Sequence, residues 1–325
     1  MKLIESKAEL MDTSINPLEL IERVGRTCYK SNSGFTKESA VKFFRQLVDR
    51  KHFAMLEHAT FVFEVIVDTA DINNSTYVTD LIRHISESPF MHVTQEYIND
   101  FPRVLISGNL RAIKENGLFP LMAELIQVEN YPELNYYFQI DVSSMAYNYH
   151  TKYSLIRLVK TEDSVFKTLT ENEKENHLYT TFHFICDRGV SHEMVRHRPA
   201  SFAQESTRYC NYSKEKFGNE ITCIKPSFYD SNWSDDEKSL YENSLRQAEA
   251  NYFMLLDKGK TPQQARGVLP TDLKTEVIMT ANDAEWKHFF DLRADGVTGA
   301  PHPNMEKVAV EAKHLYEKRI KVLFG

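Results

Sequence analysis

The stretch from Arg196 to Tyr209, RHRPASFAQESTRY, puts three arginines and a histidine into fourteen consecutive positions. Within it Ser201, Ser206, Thr207 and Arg208 offer hydroxyls, backbone N–H groups and a guanidinium fork. Such a set suits a phosphate ester better than an extended anionic surface. Pro199 biases Arg198 toward extended geometry, so a preceding helix is predicted to end there and residues 199–208 to run as loop. Two later arginines share this character. Arg266 lies in ARGVLP at the end of a capped helical pattern, and Arg293 lies in FFDLRAD after a strongly apolar one. The alternative is a solvated basic loop, or arginines paired with some of the 46 acidic side chains.

Other chemistries fail on spacing. His192 and His197 in SHEMVRHR are five apart, whereas zinc on one helical face needs H-E-x-x-H, and the extra residue swings the second imidazole about 100° off that face. Gly259, Lys260 and Thr261 resemble the end of a Walker loop, but Met254 occupies the first glycine's place and a helix, not a strand, precedes them. No G-x-G occurs, and G-x-S-x-G fails at Gly189. Cys28, Cys186, Cys210 and Cys223 form no C-x-x-C, so reduced thiols are expected.

The elements that would position these residues are legible in part. Asn16 caps a helix with Pro17 at its first turn and Leu18, Ile21 and Val24 on one stripe. A second helix carries Val41, Phe44 and Val48, and ATFVFEVIV reads as a buried strand. Residues 68–178 hold helical patterns such as TYVTDLIRHI and LFPLMAELIQ, and are read as a large, mainly helical insertion of unassigned role. YTTFHFIC is a second strand, with Ser191 as the cap of a short helix beyond it. Ser234 and Glu237 form a capping box for a long helix bearing Tyr241, Leu245, Ala248, Tyr252 and Leu255, which Gly259 ends. Thr261 and Gln264 box another helix, TEVIMTAN alternates as a strand, and two helical patterns close the chain.

The 325 residues are 42% hydrophobic and 12% aromatic, enough for a proper core, with no repeat period and no linker-like stretch. A single domain over 1–325 is expected. The net charge of −7 disfavours non-specific nucleic-acid binding, and no apolar run approaches the roughly 20 residues of a membrane span. With acidic residues at the N-terminus where a signal peptide needs an apolar core, a cytoplasmic protein is expected, without nucleic-acid or membrane partners.

Taken in order, MLEHATFVFEV, RHRPASFAQESTRY, ARGVLP, TAN and DLRAD resemble the flavin-dependent thymidylate synthases, over roughly residues 15–65 and 179–315. The resemblance implies an α+β fold, a mainly antiparallel sheet flanked by helices. It also implies methylation of dUMP to dTMP, with methylenetetrahydrofolate giving the carbon, FAD carrying the hydride, NADPH reducing the flavin, and a homotetramer whose sites draw on several subunits. No metal is implied. Carried over, Arg196, His197, Arg198, His52, Glu57, Asn282 and His288 are the flavin contacts. Ser206, Arg208 and Arg266 resemble the clamp on the dUMP phosphate, and Gln204 and Glu193 match nucleotide-site positions. Arg293 resembles the arginine set against the pyrimidine, where fixed positive charge stabilises charge building on the ring. Arg293 and Ser206 are the catalytic candidates, Ser206 as phosphate ligand rather than nucleophile, because an active serine needs an oriented base.

Ala54 and Ala284 depart from a threonine and an arginine that touch flavin, Cys28 from a serine, and GVTGAPHPNM from a shorter connection. His58 is read as either packed inside or functional, and Tyr209 as core. The alternative functions are a nucleotide- or RNA-binding protein stacking bases on Phe202 and Tyr209, or a homologue that binds dUMP without turnover.

Overall fold

The computed structural model describes residues 1–12, 15–30, 34–66, 82–83, 85–88, 90–98, 101–118, 121–122, 131–138, 156–160 and 163–325. In chain order the elements used below are β1 (Lys2–Ile4), β2 (Lys7–Leu10), α1 (Pro17–Tyr29), α2 (Lys37–Asp49), β3 (Thr60–Ile66), β4 (Met91–Ile98), β5 (Phe101–Asn109), α3 (Leu110–Glu115), β6 (Ile156–Val159), α4 (Glu171–His177), β7 (Tyr179–Asp187), α5 (Arg188–Met194), β8 (Ser201–Gln204), β9 (Thr222–Ile224), α6 (Asp235–Asp257), β10 (Lys274–Asn282), α7 (Asp283–Arg293) and α8 (Pro303–Phe324). One sheet runs β2-β7-β10-β8 and a second β4-β5-β3-β6, both antiparallel; β1 and β9 form a short parallel pair. The expected α+β class holds.

β10 shows why the first sheet is the centre of the molecule. All nine of its residues are buried, because both of its faces are covered. Alternation sends Val277, Met279 and Ala281 toward Trp286, Phe289 and Phe290 of α7 and Met305, Val308 and Ala309 of α8. Ile278 points the other way, into a cluster with Leu20 and Val24 of α1. On that face Thr280 Oγ1 meets His58 Nδ1 at 2.8 Å and Thr181 Oγ1 at 2.8 Å. The expected ambivalence of His58 therefore resolves to structure: the ring is 1% exposed, and burial pushes its pKa down to about 3.

Several local readings are met. Asn16 Oδ1 accepts from Leu18 N, and the boxes Ser234–Glu237 and Thr261–Gln264 both close. Leu245 and Tyr252 are buried along α6, and Gly259 follows it at φ +80°. Other readings are corrected. The cap of α5 is Asp187, whose Oδ1 accepts from Val190 N at 2.7 Å; Ser191 lies inside the helix and donates to Arg188 O. That helix ends at Met194, before Arg198. Residues 201–204 are not loop but the edge strand β8, because pairing with β10 satisfies their backbone.

The 68–178 segment also differs from a mainly helical insertion. Its described residues include α3, α4 and shorter turns, but β4, β5 and β6 build the second sheet around β3. TYVTDLIRHI and LFPLMAELIQ both lie largely outside the described residues. Among the described residues, no helix is long and apolar enough to cross a membrane.

Candidate active site

Three places in the fold gather the predicted residues. The first is the corner where α5 meets α7. Met194 anchors the end of α5 in the core, and the turn after it folds His197 inward while Arg196 and Arg198 stay exposed. The His197 ring stands edge-on to Phe289 with centroids 5.6 Å apart, and lies 5.3 Å from the ring of His288. Its Nε2 is 3.2 Å from Glu285 Oε2, outside hydrogen-bonding alignment, so both atoms are buried without a hydrogen bond. Burial first, then the neighbouring His288 and Arg293, push His197 down to about 4, so the ring is neutral at pH 7. Burial raises the Glu285 carboxyl. Beside them Arg293 Nη1 donates to Glu193 Oε2 at 2.9 Å, joining the helix ends that carry these two residues.

The second place is the turn after β8. Ser206 N donates to Cys28 O at 3.2 Å and Cys210 N to Ser206 O at 3.0 Å, which fixes the turn against the end of α1. Arg208 N approaches Ser206 Oγ at 3.3 Å, and Arg208 Nε donates to Gln263 Oε1 at 3.2 Å. Arg266, five residues after the Thr261 that opens the box, donates from Nη1 to Thr207 Oγ1 at 3.3 Å. Ser206, Arg208 and Arg266 thus lie around one turn. Gln204 turns toward α5, donating from Nε2 to Ser191 Oγ at 2.9 Å and to Thr275 Oγ1 at 3.2 Å.

Under this turn lies a group that sequence reasoning missed. Lys274 Nζ donates to Glu205 Oε2 at 2.8 Å and also to Glu276, and all three side chains are buried. Burial alone would raise Glu276, but the hydrogen bond from His183 and the Lys274 ammonium reverse this and take it down to about 2. Only long-range strand pairing places these charges together; β10 supplies two of them and the end of β8 the third.

The third place joins Glu57 and Asn282. They line a small hollow with His92, Tyr179, Pro199 and Ser201, so the end of the RHRP stretch reaches it too. Asn282 Oδ1 caps α7 by accepting from Glu285 N at 3.1 Å, and its amide lies 3.4 Å from His92 Nε2. Glu57 accepts from Arg111 Nη1 at 2.8 Å. His52 does not join this hollow; it is exposed and lines a separate one with Lys51, Ala54 and Arg111. Tyr209 is also corrected: it is 57% exposed, not core, with the Arg208 guanidinium 5.5 Å from its ring centre.

The family model described as Thymidylate synthase complementing protein matches residues 9–74 and 135–319. The chain belongs to this family. Among its curated relatives, a flavin-dependent thymidylate synthase of Pyrococcus furiosus is 32% identical over 147 residues, 39% of this chain and 57% of that protein. Those of Geobacter sulfurreducens and Saccharolobus solfataricus are 35% and 34% identical, over 33% and 37% of this chain and 43% of each relative. The matched part of the chain thus spans about half the length of these relatives. The crystal structure of the UMP/dUMP methylase PolB from Streptomyces cacaoi, bound with 5-Br dUMP, aligns over 98% of this chain and 93% of its own. It does so at 16% identity and a TM-score of 0.40, too low to carry an argument.

Proposed function

We propose that this family member is a flavin-dependent thymidylate synthase that methylates dUMP to dTMP, taking the carbon from methylenetetrahydrofolate and the hydride from FAD reduced by NADPH. The observation that carries the reading is the Ser206–Arg208 turn, where the Arg208 N–H meets the Ser206 hydroxyl and the Arg266 guanidinium reaches Thr207, with the Arg208 guanidinium held beside it by Gln263. Two guanidinium forks, hydroxyls and a turn's N–H groups form a donor set for one phosphate monoester, which dUMP has. Gln204 and Glu193 extend that site toward Arg293.

The residues present also suit an anionic flavin nucleotide. Arg196 and Arg198 are exposed cations beside His197, and Glu57, Asn282 and Pro199 share a hollow one strand away. Bound FAD would supply hydride-transfer chemistry. The chain's own part is to hold phosphates with its arginines, to keep His197 and His288 as neighbouring rings beside Arg293, and to set Arg293 against the uracil. Arg293 is positioned for this by Glu193. Ser206 binds phosphate; among the described residues no base is oriented on its hydroxyl, which accepts from the Arg208 N–H. The catalytic unit would be one domain with the 68–178 segment inserted in it, assembled as a cytoplasmic homotetramer.

The test is growth of a thymidine-requiring bacterium carrying this chain, together with FAD uptake by the purified protein. Growth without thymidine is expected, and Arg293→Ala should abolish it while leaving the protein folded and able to bind FAD. Unchanged growth of that variant removes the role given to Arg293. A second reading, a nucleotide- or RNA-binding protein without turnover, is favoured by the exposed Tyr209 with Arg208 at its ring. Salt-sensitive oligonucleotide binding stronger than dUMP binding, with no growth, would select it.

A further inference from the structure

Residues 75–134 fall between the two stretches that the family model matches. Their described part brings Arg111. α3 starts directly off β5: Asn109 Oδ1 accepts from Ala112 N at 2.8 Å, and Leu110 N donates to Ala59 O at 2.9 Å. Leu110, Ala112 and Ile113 are buried, which fixes the helix beside the turn Phe53–His58. Arg111 then reaches across that turn. Its Nη1 donates to Glu57 at 2.8 Å and its Nε to Glu115 at 2.7 Å, while its side chain stays 37% exposed.

With Lys51 and His52, Arg111 borders a hollow of ≈ 380 Å³ floored by Leu47, Phe53 and Met55. Among the described residues no carboxylate lines it; Glu57 and Glu115 hold the guanidinium from outside. A cationic rim over an apolar floor fits a ligand that joins a phosphate to a flat ring system. Ala54 lies in the same wall.

We infer that Arg111, with Lys51 and His52, is an anion subsite for the phosphate-bearing part of a flavin nucleotide, which the inserted segment adds to the site. This rests on the flavoenzyme reading. The guanidinium would serve the ligand by exchanging its exposed Glu115 contact for phosphate oxygens. Glu57 keeps it aimed.

The test is calorimetric titration of wild type, Arg111→Ala, Arg111→Lys and Glu115→Gln with FAD, with inorganic pyrophosphate and with dUMP, after melting curves have shown each variant folded. Arg111→Ala should weaken FAD and pyrophosphate about tenfold or more, the scale of one charged hydrogen-bonding partner. Arg111→Lys should recover part of that loss, and dUMP affinity should stay within twofold. Glu115→Gln should act in the opposite direction, tightening both anions, because it removes a competing carboxylate; a merely structural arginine would not give opposite signs. If wild type binds FAD and Arg111→Ala binds it within twofold as well, the subsite is refuted and the flavoenzyme reading stands. If wild type binds pyrophosphate through Arg111 but not FAD, the subsite stands and the flavin reading falls. Binding of neither anion by wild type removes both.

Discussion

A buried imidazole is costly to protonate, and among the described residues three are buried. His58 and His177 are each 1% exposed and His197 is 8% exposed. Burial takes the first two to about 3 and His197 to about 4. Each folded pKa lies below the usual 6.5, so between those values the unfolded chain binds more protons and stability rises with pH. Thermal stability should therefore be held above pH 6.5 and fall progressively as pH drops toward 5. Burial raises the carboxyls of Asp272, Asp283 and Glu285, and these act with the opposite sign. Replacing His58 by Gln isolates one contribution: its melting temperature should decline less steeply than wild type between pH 7 and 5. Equal slopes would mean that His58 is not buried neutral. None of this was readable from the motif. His58 follows Glu57 in MLEHATF, and only the pairing that brings Thr280 opposite it decides its role.

At the scale of elements, the division between what sequence disclosed and what it hid follows the range of the causative contact. Asn16, Ser234 and Thr261 cap helices through groups two or three residues away, and the local pattern shows them. β10 declared itself by the alternation of TEVIMTAN, residues 275–282. β8 did not, because four residues after a proline carry too little pattern, and its reason to be extended lies in Val277–Thr280. β4 and β5 were hidden in a segment whose helical runs drew the eye; polar Thr94, Gln95 and Glu96 interrupt β4, and its partner gives it its register. The cap of α5 is the sharpest case. Asp187 Oδ1 holds Val190 N while its Oδ2 accepts from the buried Asn304 amide at 2.8 Å. Asp187→Ala should cost about 1 kcal/mol for the lost cap and about 1–3 kcal/mol more for the orphaned amide. Ser191→Ala leaves Gln204 with Thr275 as a partner and should cost under about 1 kcal/mol. Urea denaturation of the two variants measures the difference, and equal midpoints would restore Ser191 as the cap. Since α5 presents Glu193 and leads into Arg196–Arg198, the larger loss should also loosen FAD.

At the scale of the whole molecule, the predicted arginines divide. Arg208 and Arg266 belong to the turn after β8, with Gln263 and Thr207 as partners, whereas Arg293 belongs to the α5–α7 corner with Glu193. The sequence order of the motifs was legible, but whether their side chains meet within one chain or across copies was not, because order along a chain carries no information about assembly. A homotetramer that builds each site from two copies would bring the corner of one to the turn of the next. That arrangement has a consequence beyond oligomer size. Arg293→Ala damages only the corner, and the double variant Arg208→Ala with Arg266→Ala damages only the turn. If the two halves come from different subunits, mixing these inactive proteins creates some sites in which both halves are intact. In a random mixture of equal amounts, about a quarter of two-subunit sites would be whole by the statistics of symmetric assembly. Co-expression of the two variants with different affinity tags, followed by tandem purification, should therefore return dUMP methylation to a substantial fraction of wild type. Mixed oligomers as inactive as their parents would show that each site is built within a single chain, and the separation of Arg266 from Arg293 would then weigh against their sharing one uridylate.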